Sequence, residues 1–422
     1  MGGRDKQWHL AINQAAPNRF MQIPLSRDGW LLFITCGVRS FAYGFLSVIL
    51  GLYLDAEGLS ATAIGWIFTA ALTGGAVMTI VISAMADSFG RRALLILGAL
   101  LMALAGCIFA VSDNPILLVF AAIFGTISPS GKEVGPFLSL EQAILPETTQ
   151  DQHRTAVFSA YNLVGSFAGA LGALGVGLPS LFSLSVLSGY RFLVWAYVAS
   201  AIGLMVLFAM LSPSIEAQVQ TEPTMRKIGV RKSRGIVAKL AGLFALDALA
   251  GGFIVQSIVA YWFYLRFKTD LNSLGGIFFG TNILAALSFL AAPAIARRIG
   301  LLNTMVFTHL PSNFLLLLIP LMPNVEWAVT VLLLRHLLSQ MDVPTRQSYT
   351  MAVVDPAERA ASAGILSVAR NAGAAVAPLF TGAVLANPSL GWPFLLAGGL
   401  KVVYDLWIFA VFRKVKPPEE RN

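Results

Sequence analysis

Apolar residues run along this chain in long blocks without alternation, divided by short polar connections that hold most of its Arg, Lys and Asp. Crossing the ~30 Å hydrocarbon core of a bilayer takes roughly 20 such residues as an α-helix. Twelve blocks meet that length: 29–54, 63–86, 93–111, 115–145, 155–176, 192–211, 236–264, 275–296, 301–321, 325–354, 360–385 and 391–412. A membrane β-barrel would instead show strands of about ten alternating residues, and these blocks are apolar on every face. The expected fold is therefore an all-α polytopic membrane protein with twelve transmembrane helices. The longest polar connection, 212–235, carries Pro213, Pro223 and a basic cluster and falls between the sixth and seventh blocks. It divides the chain into a cytoplasmic tail (1–28), a six-helix bundle (29–211), a cytoplasmic linker (212–235), a second six-helix bundle (236–412) and a C-terminal tail (413–422).

Composition agrees, since 57% of the residues are hydrophobic and 12% charged, against about 25% charged in soluble domains. A net charge of +8 raises the question of nucleic acid, but the basic residues segregate by connection. Twenty Lys and Arg fall on the side of the termini and three, Arg191, Arg266 and Lys268, on the other. That asymmetry is the positive-inside pattern; it puts both termini in the cytoplasm and makes a bacterial inner (plasma) membrane the expected location. Residues 1–27 have no apolar core and read as a tail and not as a cleaved signal peptide. Cys36 and Cys107 lie inside apolar blocks and imply no disulfide framework. His9, His153, His309 and His336 have no metal-ligand spacing, and no catalytic triad is legible. No enzyme, metal or cofactor is expected, and one chain is expected to complete its own pathway as a monomer.

Internal repetition supports the division into halves. Ser83-Ala-Met-Ala-Asp87-Ser-Phe-Gly90-Arg91-Arg92 follows the second block, and Pro293-Ala-Ile-Ala-Arg297-Arg-Ile-Gly300 follows the eighth, 210 positions later. Gly44-Phe45 recurs as Gly252-Phe253 and His153-Arg154 as Glu358-Arg359, at offsets of 208 and 205. Tandem duplication of this kind is typical of transporters with parallel repeats. The segment Asp87-Ser-Phe-Gly90-Arg91-Arg92, with its degenerate second copy, resembles the signature loop of the major facilitator superfamily, and the resemblance extends to block number, linker position and orientation. It implies two six-helix pseudo-repeats around a central cavity, with Asp87, Gly90, Arg91 and Arg92 forming a cytoplasmic gate.

Eleven Asp, Glu, Lys and Arg residues lie inside the blocks more than three positions from either end. At about 2.5 to 3.5 kcal/mol each, lipid-facing placement would cost roughly 30 kcal/mol, so most must face partners or a wet interior. Eight of them are the transport and coupling candidates: Arg39 in the first block, Lys132, Glu133 and Glu141 in the fourth, Asp247 in the seventh, and Arg335, Asp342 and Arg346 in the tenth. In the fold implied by the resemblance, these four helices line the cavity. Arg335, Ser339, Asp342 and Arg346 follow at i, i+4, i+7 and i+11, on one stripe of a helix. Arg39 and Asp247 occupy equivalent places under the 208 offset and are expected to pair across the halves. The fourth block reads Ser128-Pro129-Ser130-Gly131-Lys132-Glu133-Val134-Gly135-Pro136, which breaks the helical ladder in a place where breaks are tolerated only along a cavity or inside protein. Lys401 and Asp405, at i and i+4, are expected to satisfy each other. Gly165, Gly169, Gly172 and Gly175 in the fifth block allow close helix approach.

The leading expectation is a secondary transporter working by alternating access, with protons as coupling ion and export of a small toxic compound (a drug or an arsenical) as its task. Cys36, one turn from Arg39, is the candidate soft-ligand contact. Uptake of a small organic anion, drawn by the intramembrane cations, is the rival reading, and a non-transporting receptor is the remote one. The lipid bilayer, protons and a small-molecule substrate are the expected partners, without nucleic acid.

Overall fold

The computed structural model describes residues 25–132, 136–150, 154–216, 230–415 and 417, and among them every regular element is a helix. The N-terminal part contains α1 (Arg27–Ala56), α2 (Ala61–Phe89), α3 (Arg91–Val111), α4 (Pro115–Phe124), α5 (Phe137–Ile144), α6 (Arg154–Leu174) and α7 (Val186–Ala209). The C-terminal part contains α8 (Arg234–Gly252), α9 (Gln256–Phe267), α10 (Leu271–Ile299), α11 (Leu301–Leu318), α12 (Val325–Ser339), α13 (Asp342–Val353), α14 (Arg359–Val376), α15 (Thr381–Leu385) and α16 (Trp392–Phe412). Ten helices among the described residues, with the seventh block's α8 and α9 taken as one, are long and apolar enough to cross a membrane.

The fourth and tenth blocks are not single spanning helices. In the fourth, α4 ends at Phe124 and helix resumes at Phe137. The intervening chain holds Thr126 at φ +53° and Gly131 at φ +69°, and Pro129 and Pro136 remove two backbone donors. In the tenth, α12 stops at Ser339 and α13 restarts at Asp342, two residues before Pro344, whose ring and missing N–H disfavour a helix running through the preceding turn.

Close backbone approach sets the packing. A Cβ on Gly44 would strike the Gly169 carbonyl oxygen, and one on Gly172 the Phe41 carbonyl oxygen, so α1 and α6 touch backbone to backbone. Gly252 meets Ala374, and Gly373 meets Ala245, in the same manner between α8 and α14. The expected role of the fifth-block glycines is thus realised in α6. Gly90 and Gly300, at φ +83° and +85°, turn the chain between α2 and α3 and between α10 and α11, a conformation that favours glycine.

The two parts meet at the end remote from the termini. Tyr261 Oη donates to Asp55 at 2.7 Å, Gln256 Nε2 to Ser47 Oγ at 2.9 Å, and Ser257 Oγ to the Ser47 carbonyl at 2.6 Å. The Ser257 amide donates to the Pro129 carbonyl at 3.0 Å, so the break in the fourth block satisfies a donor at the start of α9. Gly275 on α10 packs against Ala173 and Val176 at the same end.

Candidate functional site

Two buried polar clusters stand in the two parts. In the first, Arg39 on α1 and Glu141 on α5 are both fully buried and form a two-pronged pair, Nη1 to Oε1 at 2.9 Å and Nη2 to Oε2 at 2.6 Å. Thr35, one turn before Arg39, donates to Glu141 Oε1 at 2.8 Å, and the Tyr161 hydroxyl on α6 donates to Oε2. The guanidinium also lies over the Phe137 ring, 4.8 Å from its centroid. Each charge is thus compensated by geometry and by further hydrogen bonds, the condition under which a buried pair is tolerated.

The second cluster is built on Asp247 of α8, which is 3% exposed. Lys401 Nζ from α16 donates to its Oδ1 at 2.5 Å, while Arg346 Nη1 from α13 and Arg370 Nη1 from α14 donate to Oδ2 at 3.1 and 3.2 Å. Arg346 also reaches Asp342, one turn earlier on α13, at 2.8 Å. One carboxylate therefore gathers cations from three helices. The expected cross-half pair between Arg39 and Asp247 is not formed, because each finds opposite charge within its own part. Lys401 and Asp405 do not satisfy each other either. Lys401 turns to Asp247, and Asp405 accepts from Asn313 Nδ2 at 2.8 Å and lies 2.8 Å from His309 Nδ1, both on α11.

Arg335 on α12 differs from the other cations. It is 7% exposed, its Nε has no hydrogen-bond partner, and no carboxylate among the described residues lies within ion-pair distance of it. Its Nη1 is 3.4 Å from His336 Nε2, and the His336 Nδ1, 2.8 Å from the Leu332 carbonyl, donates to that oxygen. Nε2 is then the acceptor for Arg335. Lys132, in the break between α4 and α5, is exposed and within electrostatic reach of Arg335, Arg370, Lys401 and Asp342. Four positions from separate helices of the C-terminal part thus converge with one from the N-terminal part. Glu133 lies outside the described residues.

Near the termini, the Glu216 carboxylate accepts from the amides of Arg91 and Arg92 at 2.6 and 3.2 Å and so caps α3, where the dipole favours an anion. Arg91 Nη1 donates to Glu147 at 2.9 Å and to the Ile215 carbonyl at 3.1 Å, and Arg92 Nη2 to the Ala209 carbonyl. These contacts tie the Gly90 turn to the end of α7 and the start of the linker. The side chain of Asp87 lies outside the described residues. Cys36 is 1% exposed, with its sulfur 3.9 Å from the Tyr161 carbonyl and against Gly165; a soft ligand would reach it only where α1 and α6 part.

His309 and Asn313 stand outside the candidates legible in the sequence; their i, i+4 spacing on one helix is the available signal, and metal-ligand spacing carries no information about a carboxylate partner.

Comparison with known proteins gives the same picture. An uncharacterized membrane protein of Saccharomyces cerevisiae is 28% identical over 434 aligned positions, covering 94% of this chain and 97% of that protein. The arabinose-proton symporter of Bacillus subtilis is 28% identical over 207 positions, 46% of this chain and 43% of the symporter. Among solved structures, the nucleoside transporter NupG superposes with a TM-score of 0.73 at 15% identity, covering 92% of this chain and all of that one. The xylose transporter XylE from E. coli in its inward-open form gives 0.69 at 14% identity, over 93% of this chain and 98% of that one. The model of the Major Facilitator Superfamily matches residues 32–339, about three-quarters of the sequence, and the chain accordingly belongs to that superfamily and is a membrane transporter, not an enzyme.

Proposed function

We propose that this transporter moves a small organic anion together with a proton, by alternating access between two six-helix halves over 29–211 and 236–412. Twelve membrane segments are counted in this reading, with the fourth and tenth as interrupted ones. Both termini lie in the cytoplasm, so the seam from Asp55 to Tyr261 closes the outer side. The repeat of the Gly90 turn at Gly300 and of the Gly44 contact at Gly252 supports an origin by duplication.

The observation that carries the anionic cargo is the buried guanidinium of Arg335, which has no carboxylate within ion-pair distance among the described residues and an Nε without a hydrogen-bond partner. A buried charge with no counterion in contact is costly even where Asp342 and Asp247 act on it from a distance, and a ligand of opposite charge bound directly to it lowers that cost. Its planar fork suits a carboxylate or phosphate, and Lys132 stands opposite on the other half. A neutral sugar would leave that charge unmet. The geometry thereby favours the anion over the export of a toxic compound that leads on sequence alone. Kinship with a proton symporter supports the proton as coupling ion.

Right-side-out and everted vesicles under an imposed pH gradient test the reading against a panel of labelled mono- and dicarboxylates, with pentoses and nucleosides as neutral controls. Anion accumulation is expected in one vesicle orientation, and R335Q is expected to lower it about tenfold to hundredfold, the loss of one charge-assisted bond of about 1.5 to 3 kcal/mol. Transport of only the neutral compounds, or anion transport indifferent to R335Q, would sink it.

A further inference from the structure

We infer that His309, Asn313 and Asp405 form the proton-binding site of the coupling, and that Lys401 transmits its occupancy to the Asp247 cluster. The inference rests on the proton coupling proposed above.

The three residues are buried between α11 and α16, His309 at 3% exposure and Asp405 at 0%. His309 Nδ1 lies 2.8 Å from Asp405 Oδ1, and Asn313 Nδ2 donates to Oδ2 at the same distance. The Tyr404 ring stands edge-on to the imidazole, with centroids 6.1 Å apart. In the proton-loaded state of this inference the imidazole and the carboxylate share one added proton, and the pair is net neutral. Asn313 Oδ1 and Ser312 Oγ, both buried, meet no partner, so the cluster keeps hydrogen-bonding capacity for the rearrangement that follows loss of that proton. In a membrane helix such a group is costly unless it works, and neither the cargo site nor the seam uses it.

Lys401 is the link. It precedes Asp405 by one turn on α16, within side-chain reach, yet its ammonium is 2.5 Å from Asp247. That arrangement fits the proton-loaded pair, which is neutral and exerts little pull. When the proton leaves to water, no bond other than N–H or O–H changes, and Asp405 is left as an anion beside a neutral imidazole. The charged groups within electrostatic reach of the pair are Lys401 on α16 and Asp247 on α8; Asp342 and Arg346 of α13 lie within reach of the neighbouring Tyr404, and Arg370 of α14 sits on Asp247. Of the cations, Arg346 and Arg370 are already engaged by carboxylates. Lys401 is therefore the group that moves, leaving Asp247 with the two arginines and loosening α16 from α8. Proton occupancy thus sets how firmly α8, α13, α14 and α16 are clamped.

Proteoliposomes adsorbed on a solid-supported membrane allow a pH jump with no organic substrate present, and the transient charge displacement reports proton binding alone. The wild type is expected to give a transient. D405N and H309Q are each expected to reduce it to the level of protein-free liposomes, whereas R335Q keeps it and loses the anion. K401Q is expected to keep the proton transient but transport anion without accumulating it against a gradient. Infrared difference spectra across the same pH step should show a protonated-carboxyl band in the wild type that D405N removes. Should D405N fail to fold, H309Q carries the test. A wild-type transient that survives in the folded variants, or one that disappears only in D247N or D342N, overturns the assignment. Absence of any wild-type transient overturns proton coupling itself, a different failure from the loss of anion specificity.

Discussion

Substituting one member of the Arg39–Glu141 pair should be far more damaging than substituting both. Both side chains are at 0% exposure and share two hydrogen bonds of 2.9 and 2.6 Å. Arg39→Met would leave the carboxylate with Thr35 and Tyr161 alone, two neutral donors for a buried charge. Glu141→Gln would take from the guanidinium the carboxylate that holds it at 2.9 and 2.6 Å. Each single change is expected to cost about 3 to 5 kcal/mol, the range for breaking a buried pair. The double variant removes both charges and keeps a Gln that still bonds Thr35 and Tyr161, so its cost should not exceed that of either single one. The difference between the double variant and the sum of the singles should then exceed about 2 kcal/mol, well beyond the ~0.5 kcal/mol within which independent sites add. Equilibrium unfolding in mixed micelles, followed by tryptophan fluorescence for all four proteins, measures it. Additive singles, or a cost for Arg39→Met below about 1 kcal/mol as for exposed pairs, would refute the reasoning and place the pair in water.

Gly172→Leu should drive α1 and α6 apart, because its Cβ meets the backbone carbonyl of Phe41, whereas Gly203→Leu has open space around it; monodisperse protein by size exclusion in detergent is expected for the second and not the first. Glu358 accepts from the amides of Arg231, Lys232 and Ser233, which hold its carboxyl at about 2 against an ordinary 4.5. A depressed folded-state value means stabilisation that is complete above pH 4.5 and lost as pH falls toward 2. Melting temperature across that window should decline more steeply in the wild type than in Glu358→Gln, and parallel curves would count against the cap.

How far the sequence carries depends on whether a feature is local. The long apolar blocks are legible because hydrocarbon imposes length and composition residue by residue. The break in the fourth block is legible because Pro129, Gly131 and Pro136 forbid a continuous ladder. Pro344 gave the same warning for the tenth, but the stripe through Arg335, Ser339, Asp342 and Arg346 was read across it as one helix. Charge partners were the least legible part. The i, i+4 rule assigned Lys401 to Asp405, and tertiary partners on α8 and α11 took both. Arg39 was assigned by symmetry to Asp247, while Glu141, 102 positions away, reaches it only because helix resumes after the fourth-block break and packs on α1. Nothing in a single sequence states which side of a twisted bundle such a short helix will show.

The distribution of charge between the halves bears on why cargo and proton should travel together. In the N-terminal cluster Arg39 is held by the Glu141 carboxylate. In the C-terminal cluster and Lys132 beside it, five cations (Lys132, Arg335, Arg346, Arg370 and Lys401) stand with two carboxylates (Asp247 and Asp342), a net of +3 among the described residues while the His309–Asp405 pair holds its proton. Each passage between open states must withdraw this cluster from water, and withdrawal grows costlier with unbalanced charge. Binding one monovalent anion brings the loaded, protonated form to +2. Releasing both the anion and the proton also leaves +2, because Asp405 then contributes its own negative charge. The two forms that must cross, full in one direction and empty in the other, thus carry the same charge. The forms that would waste the gradient do not: a protonated carrier without anion stays at +3. For the symport proposed above, one proton with one monovalent anion is the stoichiometry that keeps the two crossing forms at equal charge, and the excess of cations in the C-terminal cluster is what makes it so.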